Sequence, residues 1–293
     1  MLKDIHGLDV TCKQQGTLMA INALRHSLLS YGTEAPQILE AADAEPDCCL
    51  ANAYAGMLWM FLQSPEAPKK AQDFVQRGLK AAPNATAREA MTARAIAAWA
   101  AGDIPEAIDL CAAIGDAYPR DLVMLKLGQG LLFDQGDSAG MLRMALKALP
   151  EAEDIPYAHG MIAFGYEQCH LLDEAEASAR WAMALLHEEP WAHHAIAHVM
   201  LTQGRIDEGI AFLESVCDSW AGLNSFMHTH NWWHLALFYL SRDRFSEVLK
   251  IYDQHVWGLE KGYSQDQVGA VSLLARMEFS GIDVGNRWVD VAD

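Results

Sequence analysis

Gly102-Asp103-Ile104-Pro105-Glu106-Ala107-Ile108 reads as a turn followed at once by a helix start. The pattern returns after 34 residues as Gly136-Asp137-Ser138-Ala139-Gly140-Met141-Leu142. It returns at the same interval as His170-Leu171-Leu172-Asp173-Glu174-Ala175-Glu176 and as Gly204-Arg205-Ile206-Asp207-Glu208-Gly209-Ile210. A fifth copy, Asp243-Arg244-Phe245-Ser246-Glu247-Val248-Leu249, follows after 39. Between the turns lie Ala-rich amphipathic segments of helical period. Pro46, Pro83, Pro119, Pro150 and Pro190 mark further breaks, because proline suits a helix entry and not its interior.

A helix-turn-helix period of 34 is the tetratricopeptide signature. One helical hairpin cannot bury its apolar face alone, so hairpins stack into a curved solenoid. The predicted fold is therefore all-α, a tetratricopeptide-like superhelix forming one domain over residues 1–293. Small residues belong where paired helices cross, and Ala163, Ala197 and Ala236 stand seven positions before their turns. Residues 86–255 carry the regular repeats. Residues 1–85 are helical in pattern but off this phase. Residues 264–293 read as a last, incomplete hairpin. Strand signals are weak throughout.

The remainder of the chain narrows the function. A formal net charge of -18 repels nucleic acid and anionic membrane surfaces. No apolar run is long enough to span a bilayer. The six cysteines have no paired spacing, which fits small buried hydrophobes in the reducing cytoplasm. The start, Met1-Leu2-Lys3-Asp4-Ile5-His6, lacks an apolar secretory core, so no leader is expected.

Nine of the twelve histidines lie between residues 157 and 234. His194 with His198, and His230 with His234, are four apart and share a helix face. Such a pair presents two imidazoles to one metal ion. A single pair is commonly surface or core decoration, but two pairs on consecutive first helices, in groove-facing phase, point to a site. Tyr157, Phe164 and Glu167 take groove-facing positions one unit earlier, and Trp233 joins them from the later helix. His159 and His193 fall at packing positions and read as structural. Trp99, Trp181, Trp220 and Trp232 read as core. Asp253 and His255 reach the groove edge or cap a helix, and Arg287 with Asp290 forms a clamp or a helix start. No G-x-S-x-G elbow, phosphate-binding glycine loop or H-E-x-x-H motif is present, and His187-Glu188-Glu189 lacks a second histidine.

Trp191-Ala192-His193-His194-Ala195-Ile196-Ala197-His198-Val199, His230-Asn231-Trp232-Trp233-His234-Leu235-Ala236-Leu237, Ile251-Tyr252-Asp253-Gln254-His255 and Val284-Gly285-Asn286-Arg287-Trp288-Val289-Asp290-Val291 together resemble the tetratricopeptide repeat protein 38 family. The resemblance is good from about 155 to 293 and diffuse before. It implies an all-α superhelix and no particular reaction. Members of that family continue past the Arg-Trp-x-Asp stretch into further helices, so the resemblance also implies helices that this chain lacks.

Three functions compete. The first is a metal- or haem-dependent enzyme acting on a small molecule, with His194, His198, His230 and His234 as ligands to zinc, iron or manganese. Glu167 would be a fifth ligand or general base, with His198 and His234 in catalysis. Asn231 or Asp253 would hold an imidazole tautomer. The second is a metal-free acid-base enzyme on the same histidines. The third is a scaffold holding a protein or peptide partner in the groove. The lysines and arginines of peptide-carboxylate clamps are missing from its walls, which favours the enzyme readings.

Overall fold

The computed structural model describes residues 1–292. Among them, eight first helices each end at a residue with positive φ, and a second helix follows each. The first pairs are α1 (Gln15–Ser30) with α2 (Gln37–Ala44), α3 (Cys49–Met60) with α4 (Ala67–Ala81), α5 (Ala87–Ala100) with α6 (Ile104–Ala117), and α7 (Leu122–Asp134) with α8 (Ser138–Leu146). A single helical turn, α9 (Leu149–Ala152), precedes α10 (Pro156–Gln168) with α11 (Leu172–Leu185). Then come α12 (Pro190–Thr202) with α13 (Ile206–Val216), α14 (Ser225–Leu240) with α15 (Phe245–Ile251), and α16 (Ser264–Phe279) with α17 (Arg287–Ala292).

The junction residues are Tyr31, Gln63, Gly102, Gly136, His170, Gly204, Asp243 and Gly281, with φ between 49° and 80°. From Gly102 onward, the N–H after each junction bonds back over the helix end. The pairs are Asp103 to Ala98, Asp137 to Leu132, Leu171 to Tyr166, Arg205 to Met200, Arg244 to Tyr239 and Ile282 to Met277. This is the Schellman closure, which satisfies carbonyls that a helix end leaves orphaned. The repeated turn motif is thus a repeated left-handed residue. Before residue 86 the same hairpins occur, but the junctions Tyr31, Gln63 and Gly102 stand 32 and 39 residues apart, which takes them off the 34-residue phase.

Ala163, Ala197 and Ala236 are fully buried. Gly209 shows how tight the crossings are, since a Cβ there would lie 2.1 Å from Cε1 of Phe238. Trp220 is core, and Trp99 is half-buried edge-on to Phe61. Trp181 is not core. It is 51% exposed on α11, where no later helix covers its face. A short antiparallel hairpin, β1 (Leu2–Lys3) with β2 (Asp9–Val10), opens the chain. Its two-residue strands are too short to alternate visibly in sequence. The hairpin is pinned by a buried ionic cluster in which Arg25 and Arg88 both donate to Asp121, at 3.1 and 2.7 Å, and Arg25 meets Asp4 at 3.3 Å.

The superhelix curls until its start meets its later repeats. Asn224 N–H, at the entry to α14, donates to Tyr31 O at 2.6 Å. The Tyr263 hydroxyl meets Phe61 O at 3.5 Å, and the Gln265 amide donates to the Gln63 side chain. This seam joins residues about two hundred apart in sequence and encloses the concave face. No helix of the described residues is long and apolar enough to cross a membrane.

Candidate functional site

Two first helices build the site. The Glu189 carboxylate starts α12 by accepting from the N–H groups of Trp191 and Ala192, and Pro190 fits the first turn. Asn224 starts α14 by accepting from Met227 N–H at 3.0 Å. The helices lie side by side as first members of consecutive hairpins. Because α14 is three residues longer than α12 and a 3₁₀ turn (Cys217–Gly222) precedes it, the register across the pair is 36 residues.

That register sets His194 opposite His230 and His198 opposite His234. Their Nε2 atoms stand 3.0 Å and 3.2 Å apart, and Nε2 of His234 is 3.2 Å from Nε2 of His230. All four ligand atoms lie within 4.8 Å of one another. A tetrahedral ion with metal–nitrogen bonds of 2.0–2.1 Å needs nitrogens about 3.3 Å apart. Three of the six distances are near that value, and none exceeds 4.8 Å. Burial holds His194 and His234 well below the usual histidine range, and the neighbouring imidazoles add to the effect. Burial, and then His198, pushes His230 down to about 4. These three rings are neutral at pH 7, as metal ligation requires.

Glu167, from α10, does not point at the centre. Nδ1 of His198 donates to its Oε1 at 3.1 Å, while its Oε2 accepts from Gln168 at 2.7 Å. A carboxylate behind Nδ1 fixes the proton there and leaves a lone pair on Nε2, facing the other imidazoles. Burial pushes Glu167 up, but the hydrogen bond and charge of His198, with help from Gln168, bring it below its ordinary value. Glu167, expected as a fifth ligand or general base, is thus held behind one imidazole, that of His198. The Nδ1 atoms of His194 and His234 are buried without a protein partner among the described residues.

Aromatic rings complete the walls. Trp191 stacks on His194 at 4.3 Å, and Phe164 meets the same ring edge-on at 5.9 Å. Phe226 and Trp233 lie nearly parallel to His230, at 5.3 Å and 5.8 Å. Tyr31, the seam residue, stacks on Trp191 at 5.3 Å and leans on Phe226 at 6.1 Å. The N-terminal repeat thus touches the rings that flank the histidines. Beside His230, a surface pocket of about 410 Å³ opens between the seam and α16.

Several candidates lie elsewhere. Asn231 is buried, but its amide donates to Pro190 O, so it ties α14 to α12 and holds no imidazole. Asp253 pairs with Arg287 at 2.7 Å, joining the turn after α15 to α17. His255 stacks on Trp232 at 3.8 Å, away from the four Nε2 atoms. Tyr157 faces His26 at 6.2 Å, on the α1 side of the concave surface. Asp290 takes Lys261 and the Trp257 N–H. Residues 252–256 leave the α-helical register for a π turn, which turns Asp253 and His255 away from the expected face. Trp191 and Phe226 were the unanticipated members. Their spacing from the histidines, three and four residues, was the available signal. His159 and His193 are buried, with Nε2 of each on a backbone carbonyl, Glu153 O and His187 O, both at 2.8 Å.

No family model matches the chain. Among solved structures it is similar to a tetratricopeptide repeat protein from Parabacteroides merdae. That match has a TM-score of 0.55 at 13% identity and covers 90% of this chain and 100% of that one. It is similar also to a thermophilic TPR protein of Thermus thermophilus. There the TM-score is 0.51 at 16% identity, over 66% of this chain and 100% of that one. The protein is a TPR-like helical-repeat solenoid. At these identities the likeness shows the fold alone.

Proposed function

We propose that this chain is a metalloprotein holding one divalent transition ion between α12 and α14. Its ligands are Nε2 of His194, His198, His230 and His234, and the ion serves a reaction on a small molecule. The observation that carries this reading is the convergence of four imidazoles, one ring nitrogen of each within 4.8 Å of the others, with three Nε2–Nε2 contacts of 3.0–3.2 Å. Without an ion, the three contacts of 3.0–3.2 Å among these nitrogens would have to share two protons, in a buried setting where an unmade hydrogen bond costs about 1–3 kcal/mol. Imidazole donors suit zinc or iron ahead of manganese, whose preferred carboxylate is here turned to His198. A bare ion fits better than haem. Imidazoles on opposite faces of one iron would stand about 4 Å apart, twice a metal–nitrogen bond, with a flat ring between them. Contacts of 3.0–3.2 Å leave no such plane.

The metal-free acid-base reading has less support, because a group near 4, like His230, is a weak base at neutral pH. The scaffold reading keeps the support of the fold, but the contacts of Tyr31 with Trp191 and Phe226 join the first repeat to the later ones across the groove that an extended peptide would need. We assign the chain to the tetratricopeptide repeat protein 38 family on the runs 191–199 and 230–237, which hold all four imidazoles. We read it as one domain, since the seam ties its first repeats to its last. We place it in the cytoplasm on its six free thiols.

Elemental analysis of the purified protein, before and after reconstitution with zinc or iron(II), tests the reading. One equivalent of metal, lost when all four histidines are replaced by alanine, is the expected result. No bound metal under any of these conditions would remove it.

A further inference from the structure

The pocket beside His230 supports an inference that rests on the metal reading. We propose that His230 is the exchangeable ligand. His194, His198 and His234 hold the ion, and His230 leaves it so that a small uncharged molecule takes the fourth position from the pocket. In this exchange the metal–Nε2 bond of His230 breaks and a bond to a lone pair of the guest forms, with no change in the charge of the ion.

Four fixed protein ligands make a closed site, whereas catalytic ions keep one position open. One of the four must therefore move, and their surroundings differ. His194 and His234 are 2% and 3% exposed and lie deep between α12 and α14. His198 is tethered through Nδ1 to Glu167. His230 is the one that lines the pocket. It has no carboxylate behind it among the described residues, and it lies against two rings nearly parallel to its own, Phe226 at 18° and Trp233 at 5°. A flat ring can slide along such surfaces without breaking a hydrogen bond.

The same pocket defines the guest. Gln63 and Gln265 offer amides, Ser264 and Ser272 offer hydroxyls, and Phe226 and Trp233 offer flat apolar walls. No charged side chain of the described residues lines it. Arg276, which contacts two of the lining residues, is already engaged with the Ser272 hydroxyl at 2.7 Å and sits over the Trp233 ring at 5.3 Å. A charged guest would lose its hydration there without a partner. The fitting class is a flat, uncharged molecule with hydrogen-bonding groups and a donor nitrogen or oxygen. Gln63 comes from the second repeat and the serines from the last hairpin, so the guest site exists only when the superhelix is closed.

Cobalt(II) as the ion and free imidazole as the guest make a direct test, read by the visible absorption of the bound cobalt. His230→Ala should still bind one cobalt, less tightly than wild type but more tightly than His194→Ala or His234→Ala. Added imidazole should then restore the wild-type spectrum. His194→Ala and His234→Ala should lose the metal. Gly269→Leu, whose side chain enters the pocket from α16 where a Cβ meets nothing within 4 Å, should leave cobalt affinity intact. In the His230→Ala background it should weaken imidazole binding by about tenfold or more. If wild type takes up cobalt but His230→Ala loses it as fully as His194→Ala, the exchange is overturned and the metal reading stands. Imidazole binding equally well with and without the Gly269→Leu change overturns the pocket as its route. Wild type that takes up no cobalt overturns both readings.

Discussion

Replacing Glu167 by alanine isolates the contribution of the carboxylate behind the cluster. Its Oε1 accepts from Nδ1 of His198 at 3.1 Å, and the carboxylate side chain is 11% exposed, so water screens the contact little. A hydrogen bond to a charged group of this kind contributes about 1.5–3 kcal/mol. At 1.4 kcal/mol per factor of ten, that is roughly a 10- to 100-fold loss of metal affinity. Glu167→Gln keeps an acceptor but loses the charge and should fall between. Because Glu167 sits below its ordinary pKa, it stays charged at neutral pH and somewhat below the usual glutamate range. The difference between variant and wild type should shrink as pH falls through that lowered value, where the carboxylate takes up its proton. Competition for zinc against a chromophoric chelator gives the affinities, and thermal melts of the apo proteins confirm that both fold. Equal zinc affinity for Glu167→Ala and wild type would refute the supporting role.

Three further outcomes follow from the scaffold. Asp121→Ala leaves the buried guanidiniums of Arg25 and Arg88 without their shared carboxylate and should cost about 3–5 kcal/mol in urea unfolding. His6 is pushed down to about 4 by burial and by Arg25. The unfolded chain binds the proton near 6.5 and the folded one does not, so stability is full above 6.5 and falls as pH drops toward 4, by about 3 kcal/mol. His6→Asn should flatten that part of the stability curve. His170 holds a φ of 59° at a junction where four others have glycine, and His170→Gly should raise stability by about 1 kcal/mol, seen as a higher melting temperature.

The periodic turn 102–108, its later copies and the paired histidines were legible without coordinates because they express short-range rules. A left-handed residue ends a helix wherever it falls, and side chains four apart share a face in any helix. The hairpins before residue 86 were not legible as repeats, because their junctions Tyr31, Gln63 and Gly102 stand 32 and 39 residues apart, off the 34-residue interval. Opposition across helices is another matter. His194 meets His230 because a 3₁₀ turn and a longer α14 shift the register to 36, and Asp253 and His255 turn away because the chain enters a π turn. The seam from Tyr31 to Asn224 arises from small rotations summed over many repeats, and no single segment encodes that total. Local sequence determined the hairpins and the faces of their helices. Tertiary packing decided which faces meet, where Glu167 points, and that the concave side closes over the histidines, because those depend on lengths and angles accumulated along the whole chain.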